Sequence, residues 1–399
     1  MKKYFSILIP AVLLTACEEP EKVAPVTVSV NIQLPEVFDE FKPEQYKVEF
    51  VNFNDKSIVV DSAKVGEIVT IKILPGIYTI TAKAEKQSGQ DEFLYTGSLV
   101  NENVILEGSS YTIDLQVVLQ SDLIFKELFY AGSRTPSNAS YFRDQFYELY
   151  NNSESTLYLD GLVFGTLFTN VATANLPTWD LPNAENYVFY QWAWQIPGSG
   201  HDYPLLPGES VVLAQWATNH TVAALNPNSI NLSTSEFEGF ITTNNIITDE
   251  PAINLNLIYR TSSFASMPQW LSSVFGCAYA FFFPDETTDL SPNALVTQVG
   301  NSTQGLPVPV GKIVDAVELV DNAEKVQLKR VPKILDAGAT YVGLNYNGKS
   351  VSRKVKETKA DGRKIYRDTN NSTDDFEIQD TPAIRRNGAK RPSWSTWGN

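Results

Sequence analysis

Between Tyr141 and Gly165 the chain reads YFRDQFYELYNNSESTLYLDGLVFG, and this stretch constrains everything around it. Two runs of strand character, Phe146–Asn151 and Thr156–Asp160, flank an Asn/Ser-rich turn. A Leu159-Asp160-Gly161 corner and a third apolar run follow. Short β-forming runs closed by turn residues cannot bury an apolar face alone, so they need a second sheet to pack against.

The same rhythm governs the preceding chain. Val26, Val28, Val30, Ile32 and Leu34 alternate with polar residues, the mark of a half-buried strand. Tyr46, Val48 and Phe50 repeat the pattern, as do Val69, Ile71 and Ile73. Asn54-Asp55 turns into Ile58–Val60, and Leu74-Pro75-Gly76 turns into Tyr78, Ile80 and Ala82. With Leu94–Val100, Val104–Leu106 and Tyr111–Leu119 the count is roughly seven or eight strands, enough for a sandwich over residues 26–119. No helical period appears. A larger β region is expected over 122–399, opened by a strand at Leu123–Tyr130. Ile313–Val320 and Val326–Val331 read as strands around an Asn322-Ala323 turn, the first of them also readable as one short helix. The expected fold class is all-β.

A chain of 399 residues has room for two such units, and 43% apolar with 12% aromatic residues marks it as globular. The net charge of −15 argues against nucleic acid and against simple attraction to an anionic membrane.

The first residues have a targeting pattern: Lys2 and Lys3, then an apolar run from Phe5 to Leu14 that is too short to span a bilayer. Leu14-Thr15-Ala16-Cys17 resembles the bacterial lipobox. The resemblance implies a signal peptide over 1–16, removed by signal peptidase II, and a diacylated Cys17. Two or more acyl chains anchor a protein firmly. Residues 17–25 then form a tether, in which Glu18, Glu19 and Glu21 resemble the surface-export signal of Bacteroidota lipoproteins. That implies an outer-membrane lipoprotein facing the cell exterior. With Cys17 acylated, Cys277 is the remaining thiol and no intrachain disulfide can form. It lies in VFGCAYAFFF, where a buried, inert Cys is expected. Asp61-Ser62-Ala63 resembles the short Bacteroidota O-glycosylation motif, which makes Ser62 a candidate acceptor, expected in a turn between strands.

Leu74 to Ala82, LPGIYTITA, resembles the transthyretin-like or carboxypeptidase-regulatory-like sandwich, a family of spacer and accessory modules; the resemblance covers 26–119. Glu148-Leu149-Tyr150-Asn151, the Leu159-Asp160-Gly161 corner, and Leu206-Pro207-Gly208-Glu209 followed by Val211–Ala214 resemble the lamin-tail β-sandwich. Against that pattern, segments near 166–204 and 220–310 look inserted. The whole arrangement, including Asp315-Ala316-Val317-Glu318, resembles an uncharacterised family of Bacteroidota lipoproteins. Genes of that family tend to lie beside TonB-dependent outer-membrane receptors, so a TonB-dependent barrel is the implied partner.

Candidate binding residues come from two places. The aromatic-rich segment from Asn175 to His220 holds Trp179, Tyr187, Phe189, Tyr190, Trp192, Trp194, Tyr203 and Trp216. It is either the core face of a hairpin or a surface for sugar rings or a protein partner, and exposure discriminates the two. From Tyr346 onward there are twelve Lys/Arg against seven Asp/Glu, Arg385 and Arg386 among them. These are either solvated edge residues or a docking surface for an acidic partner. Asp368, Asn370, Asp374 and Asp375 offer hard oxygen ligands of the kind calcium takes, although the frame is not an EF-hand.

Catalytic patterns are scarce. His201 and His220 are the two histidines, no Gly-x-Ser-x-Gly is present, and Gly198–Asp202 is a polar loop without strand-turn-helix context. There is no zinc spacing and no phosphate or dinucleotide loop, so no cofactor is expected. The expected function is a non-enzymatic accessory or binding component of an outer-membrane uptake or envelope complex. A free-standing glycan- or protein-binding adhesin is the alternative, and a carboxylate-based hydrolase ranks last.

Overall fold

The alternation that opens the chain builds a sandwich. A computed structural model describes residues 23–35, 42–88, 91–118 and 121–397. Cys17, Glu18, Glu19 and Glu21 lie outside the described residues. The first strands are β1 (Val26–Gln33), β2 (Gln45–Asn52), β3 (Ile58–Lys64), β4 (Val69–Ile73), β5 (Gly76–Ser88), β6 (Asp91–Val104), β7 (Ser110–Asp114) and β8 (Gln116–Val118). They form a three-stranded sheet, β4-β1-β7, and a five-stranded sheet, β3-β2-β5-β6-β8. Alternating residues of both close on one core, with Val28, Val30, Val48, Phe50, Ile80 and Ala82 fully buried. The run read at Leu94–Val100 belongs to one long strand, β6, which ends at Val104, so Ile105 and Leu106 fall outside it. Asp61-Ser62-Ala63 is not in a turn: it is strand, in β3 at the edge of the five-stranded sheet, where Ser62 pairs with Lys47 and is exposed.

The larger sandwich follows. Its first sheet runs through β9 (Leu123–Phe129), β10 (Phe146–Asn151), β13 (Ser210–Ala214), β14 (Phe237–Glu238), β15 (Ile253–Asn254), β21 (Ser350–Arg353) and β22 (Phe376–Gln379), in the order β15-β14-β13-β10-β9-β21-β22. Its second contains β11 (Val163–Leu167), β12 (Tyr187–Gln195), β16 (Asn256–Arg260), β17 (Ala278–Phe282), β18 (Val296–Thr297), β19 (Gln304–Pro309) and β20 (Ile313–Glu318). The order there is β18-β19-β12-β11-β17-β20, with β16 also paired to β12. The segments near 166–204 and 220–310, expected as inserts, thus supply β12 and β17, the two neighbours of β11 in the middle of a sheet. Val326–Val331, expected as a strand, is irregular backbone after a 3₁₀ turn at Ala323–Lys325. Ile313–Glu318 is strand, not helix.

Aromatic rings fill the space between these sheets. Phe125 of β9 meets Phe281 of β17 at 4.9 Å, and Tyr147 of β10 meets Tyr279 at 4.6 Å. Asp315 ties the layers at their margin: its carboxylate accepts the Phe125 N–H and pairs with Arg353 of β21, both at 2.8 Å. The two sandwiches touch through β5 and β6. Ser98 Oγ donates to Ala337 O (2.9 Å), Asn101 Nδ2 to Ala323 O (3.0 Å), and Lys83 pairs with Asp374 (2.6 Å). Among the described residues no helix is long and apolar enough to cross a membrane.

Candidate binding groove

Most of the aromatic segment is core. Trp192 and Trp194 are fully buried on β12 between the sheets, their rings stacked at 5.7 Å and 8°. Tyr190 is equally buried but on the other face of the sheet, 5.8 Å from Phe282. The reason is a bulge: Thr166 pairs with Trp192 and Leu167 with Tyr190, so Gln191 is skipped and the side-chain alternation inverts. Trp216 is buried too, its Nε1 donating to Thr248 O at 3.2 Å. None of these four rings can present a stacking face to a ligand or a barrel. This corrects their selection as binding residues.

Trp179 differs. Its residue is only half-buried, and the indole lies flat on Phe189 at 4.1 Å and 6°. Backbone bonds hold the segment to the β18 side of the sheet: Val299 N donates to Thr178 O (2.9 Å) and Asp180 N to Thr297 O (3.0 Å). Gly305 of β19 makes room for the ring, since a Cβ there would stand 2.6 Å from Trp179 Cη2. Phe168 meets the indole edge-on at 5.1 Å. The result is an aromatic shelf along a groove of about 760 Å³, continued by Leu176 and Tyr187 and faced by Lys329 and Lys333. Lys329 Nζ donates to the carbonyls of Asp336 and Gly338. Burial lowers its pKa, with Asp336 and Glu318 opposing the shift and Lys333 adding to it. Lys333 is exposed at the rim. A flat apolar shelf with an exposed lysine, Lys333, at its rim suits a ring that has one apolar face and polar edges, as a sugar has. Phe168, Gly305, Lys329 and Lys333 escaped the sequence reading. The Lys329-Arg330-Val331-Pro332-Lys333 cluster was the one visible signal for this wall.

Within the basic end, Arg385, Arg386 and Arg391 are tied into the fold. Four buried glutamates come from one sheet: Glu127 from β9, Glu148 from β10, Glu238 from β14 and Glu236 from just before β14. Residues 383–397 lie across them. Arg386 Nε pairs with Glu127 (2.8 Å), Arg385 Nη2 with Glu236 (2.5 Å) and Arg391 Nε with Glu236 (3.3 Å); Lys126 of β9 itself pairs with Glu148 (2.8 Å). The Arg385–Arg386 pair is used inside the fold because buried carboxylates need cations. Glu238 has no such cation among the described pairs; it accepts the N–H groups of Ala217 and Glu250, and burial raises its pKa to about 7.

The acidic run is likewise structural, which corrects its reading as a calcium site. Asp368 and Asp375 converge on the buried Arg353 guanidinium at 3.0 and 3.3 Å, and Asp374 pairs with Lys83. The Asn370 side chain reaches Ile334 O instead, at 3.4 Å. Burial pushes Asp315 and Asp375 up despite Arg353, and the nearby Asp368 charge adds to the shift. His220 is buried between Tyr141 and Trp216 O, and desolvation lowers its pKa to about 4, so it is a neutral packing group at pH 7. His201 stands edge-on to Tyr158 at 4.5 Å, and Cys277 is fully buried.

A family profile described as "Protein of unknown function (DUF4876)" matches residues 206–383. A crystal structure of a DUF4876 family protein from Bacteroides thetaiotaomicron VPI-5482 is 38% identical, covers 93% of this chain and 99% of its own, and superposes with a TM-score of 0.65. Two further structures share 10% and 6% identity: a candidate adhesin from Bacteroides ovatus ATCC 8483 and a candidate cell adhesion protein from Bacteroides eggerthii DSM 20697. The first likeness covers 76% of this chain and 89% of that one, the second 72% and 80%. Their TM-scores are 0.17 and 0.18, too low to say anything of role. No curated protein matches the chain.

Proposed function

The chain belongs to the DUF4876 family, and from that premise we propose that it is a non-enzymatic binding lipoprotein of the bacterial envelope, with its ligand site in the Trp179 groove. The observation that carries this reading is the half-exposed indole stacked on Phe189 above an open groove. A ligand ring that covers Trp179 gains apolar contact on one face and turns its polar edge toward Lys333. Further support is that His220, Cys277 and the buried carboxylates all have structural partners. The anchor in this proposal is an acylated Cys17, the display signal is Glu18, Glu19 and Glu21, and the N-terminal sandwich acts as a transthyretin-like spacer ahead of a lamin-tail-like binding unit. A TonB-dependent outer-membrane barrel is the proposed neighbour, on the strength of the family resemblance. Trp192, Trp194, Arg385 and Arg386 offer it little, so contact with a barrel would use other surfaces.

Glycan-array screening followed by calorimetry with Trp179→Ala is the test. Strong hits on ring-bearing ligands, lost or weakened tenfold or more in the variant, are expected, roughly what one lost stacking contact is worth. Binding unchanged in Trp179→Ala overturns the groove as the site. Recovery of a barrel together with the native lipoprotein from solubilised outer membranes tests the partner separately.

A further inference from the structure

The N-terminal sandwich ends in an apolar tip. Val23, Leu74, Ile105 and Leu106 are 65%, 55%, 55% and 67% exposed. Strand register gathers them at one end. Val26 of β1 pairs with Ile73 of β4, so Val23 and Leu74 lie just beyond the same rung. On the other flank of β1, Gly108 N donates to Thr27 O and the Glu107 carboxylate accepts the Thr27 N–H, which sets Ile105 and Leu106 beside the entering chain. The contacts to the larger sandwich run through β5 and β6, in the other sheet, and leave this end uncovered. Four aliphatic side chains more than half exposed at one place form a patch that water disfavours.

The chain itself indicates what covers it. Cys17 lies six residues before Val23, and six extended residues reach about 20 Å at most. An acyl chain on Cys17 therefore keeps this end within that distance of the bilayer. We propose that Val23, Leu74, Ile105 and Leu106 form a membrane-contacting tip that sits in the headgroup–acyl boundary of the bilayer holding the Cys17 lipid. The proposal rests on the lipid anchoring proposed above. With a net charge of −15 the protein gains nothing from an anionic surface, so the contact is apolar and does not weaken as salt rises.

The test uses full-length acylated protein in phosphatidylethanolamine/phosphatidylglycerol vesicles, with Leu106→Cys carrying an environment-sensitive fluorophore. Ile68→Cys is the control: Ile68 is 58% exposed but adjoins Val69, at the opposite end of β4. Cys277 is buried and Cys17 acylated, so the dye goes to the new thiol. The expected result is a blue-shifted label at 106, quenched by lipids brominated on their acyl chains at low and high salt alike, and an unshifted, unquenched label at 68. Adding Ile105→Asp should abolish the quenching while the protein still floats with the vesicles. A label at 106 that stays unquenched on floating protein overturns the tip and leaves the anchor standing. Protein of unacylated mass that does not float overturns the anchor, and the tip with it. A blue shift that follows protein concentration without vesicles assigns the patch to a second copy of the chain and also overturns the proposal.

Discussion

Trp179 and Trp192 share a segment, and substitution should separate them cleanly. Trp192 is fully enclosed, so Trp192→Ala should cost about 3–5 kcal/mol of stability, read from urea unfolding. Trp179 sits at an edge, and Trp179→Ala should leave the urea midpoint nearly unchanged. Equal loss in both would show that the shelf is core after all. Asp144 is a second residue with a measurable signature. Burial raises its pKa from 3.8 to about 6, opposed by hydrogen bonds from Ser133 and Ser229. The folded state therefore holds the proton more tightly than the unfolded one. The stability this group contributes is complete below about pH 4 and is lost as pH rises through about 6, a change of order 3 kcal/mol. Asp144→Asn should flatten the stability profile between those limits, as measured by denaturant unfolding at a series of pH values. An unchanged slope would assign that titration to another group.

Among the elements, the C-terminal strap and the outer face of the first large sheet form one unit. Arg386 binds Glu127 through two nitrogens, at 2.8 and 3.0 Å, on a carboxylate that is fully buried. Arg386→Ala leaves that carboxylate with only its Ser350 and Ala383 hydrogen bonds and no cation, and should cost about 3–5 kcal/mol. Adding Glu127→Gln should recover part of the loss, and a double-mutant cycle measures the coupling. Additive losses would mean the pair is not coupled. Elements such as β1, β2 and β4 were legible in the sequence because each has one wet face and so alternates cleanly. β9 and β12 are buried on both faces, and a bulge interrupts each ladder, so alternation could not tell Tyr190 from Trp192. The strap was misread for a different reason. A run of arginines looks the same whether its carboxylates belong to a partner or to strands some 150–260 residues away, as Glu236 and Glu127 are here. The groove was half legible: Trp179 stood out by type, whereas Gly305 and Lys333 mattered only once β19 and the 329–333 segment had been brought beside it.

For the whole molecule, the proposed anchor would decide where any ligand is met. Cys17→Ala should shift the protein from washed membranes to the soluble fraction with its fold unchanged; retention in the membranes would contradict the lipid anchor. Sheet topology adds a consequence in time. Strand β9 completes its pairing only with β21, Leu128 opposite Val351, across more than two hundred residues of chain. Such distant pairing makes for slow folding, because the closure entropy of the long intervening loop is lost before the contacts that repay it can form. The larger sandwich cannot close while residue 351 is still unmade, and it closes slowly thereafter. Under the export proposed above, a chain built this way would still be unfolded when threaded through a narrow translocation channel, and would acquire its shape only on the far side.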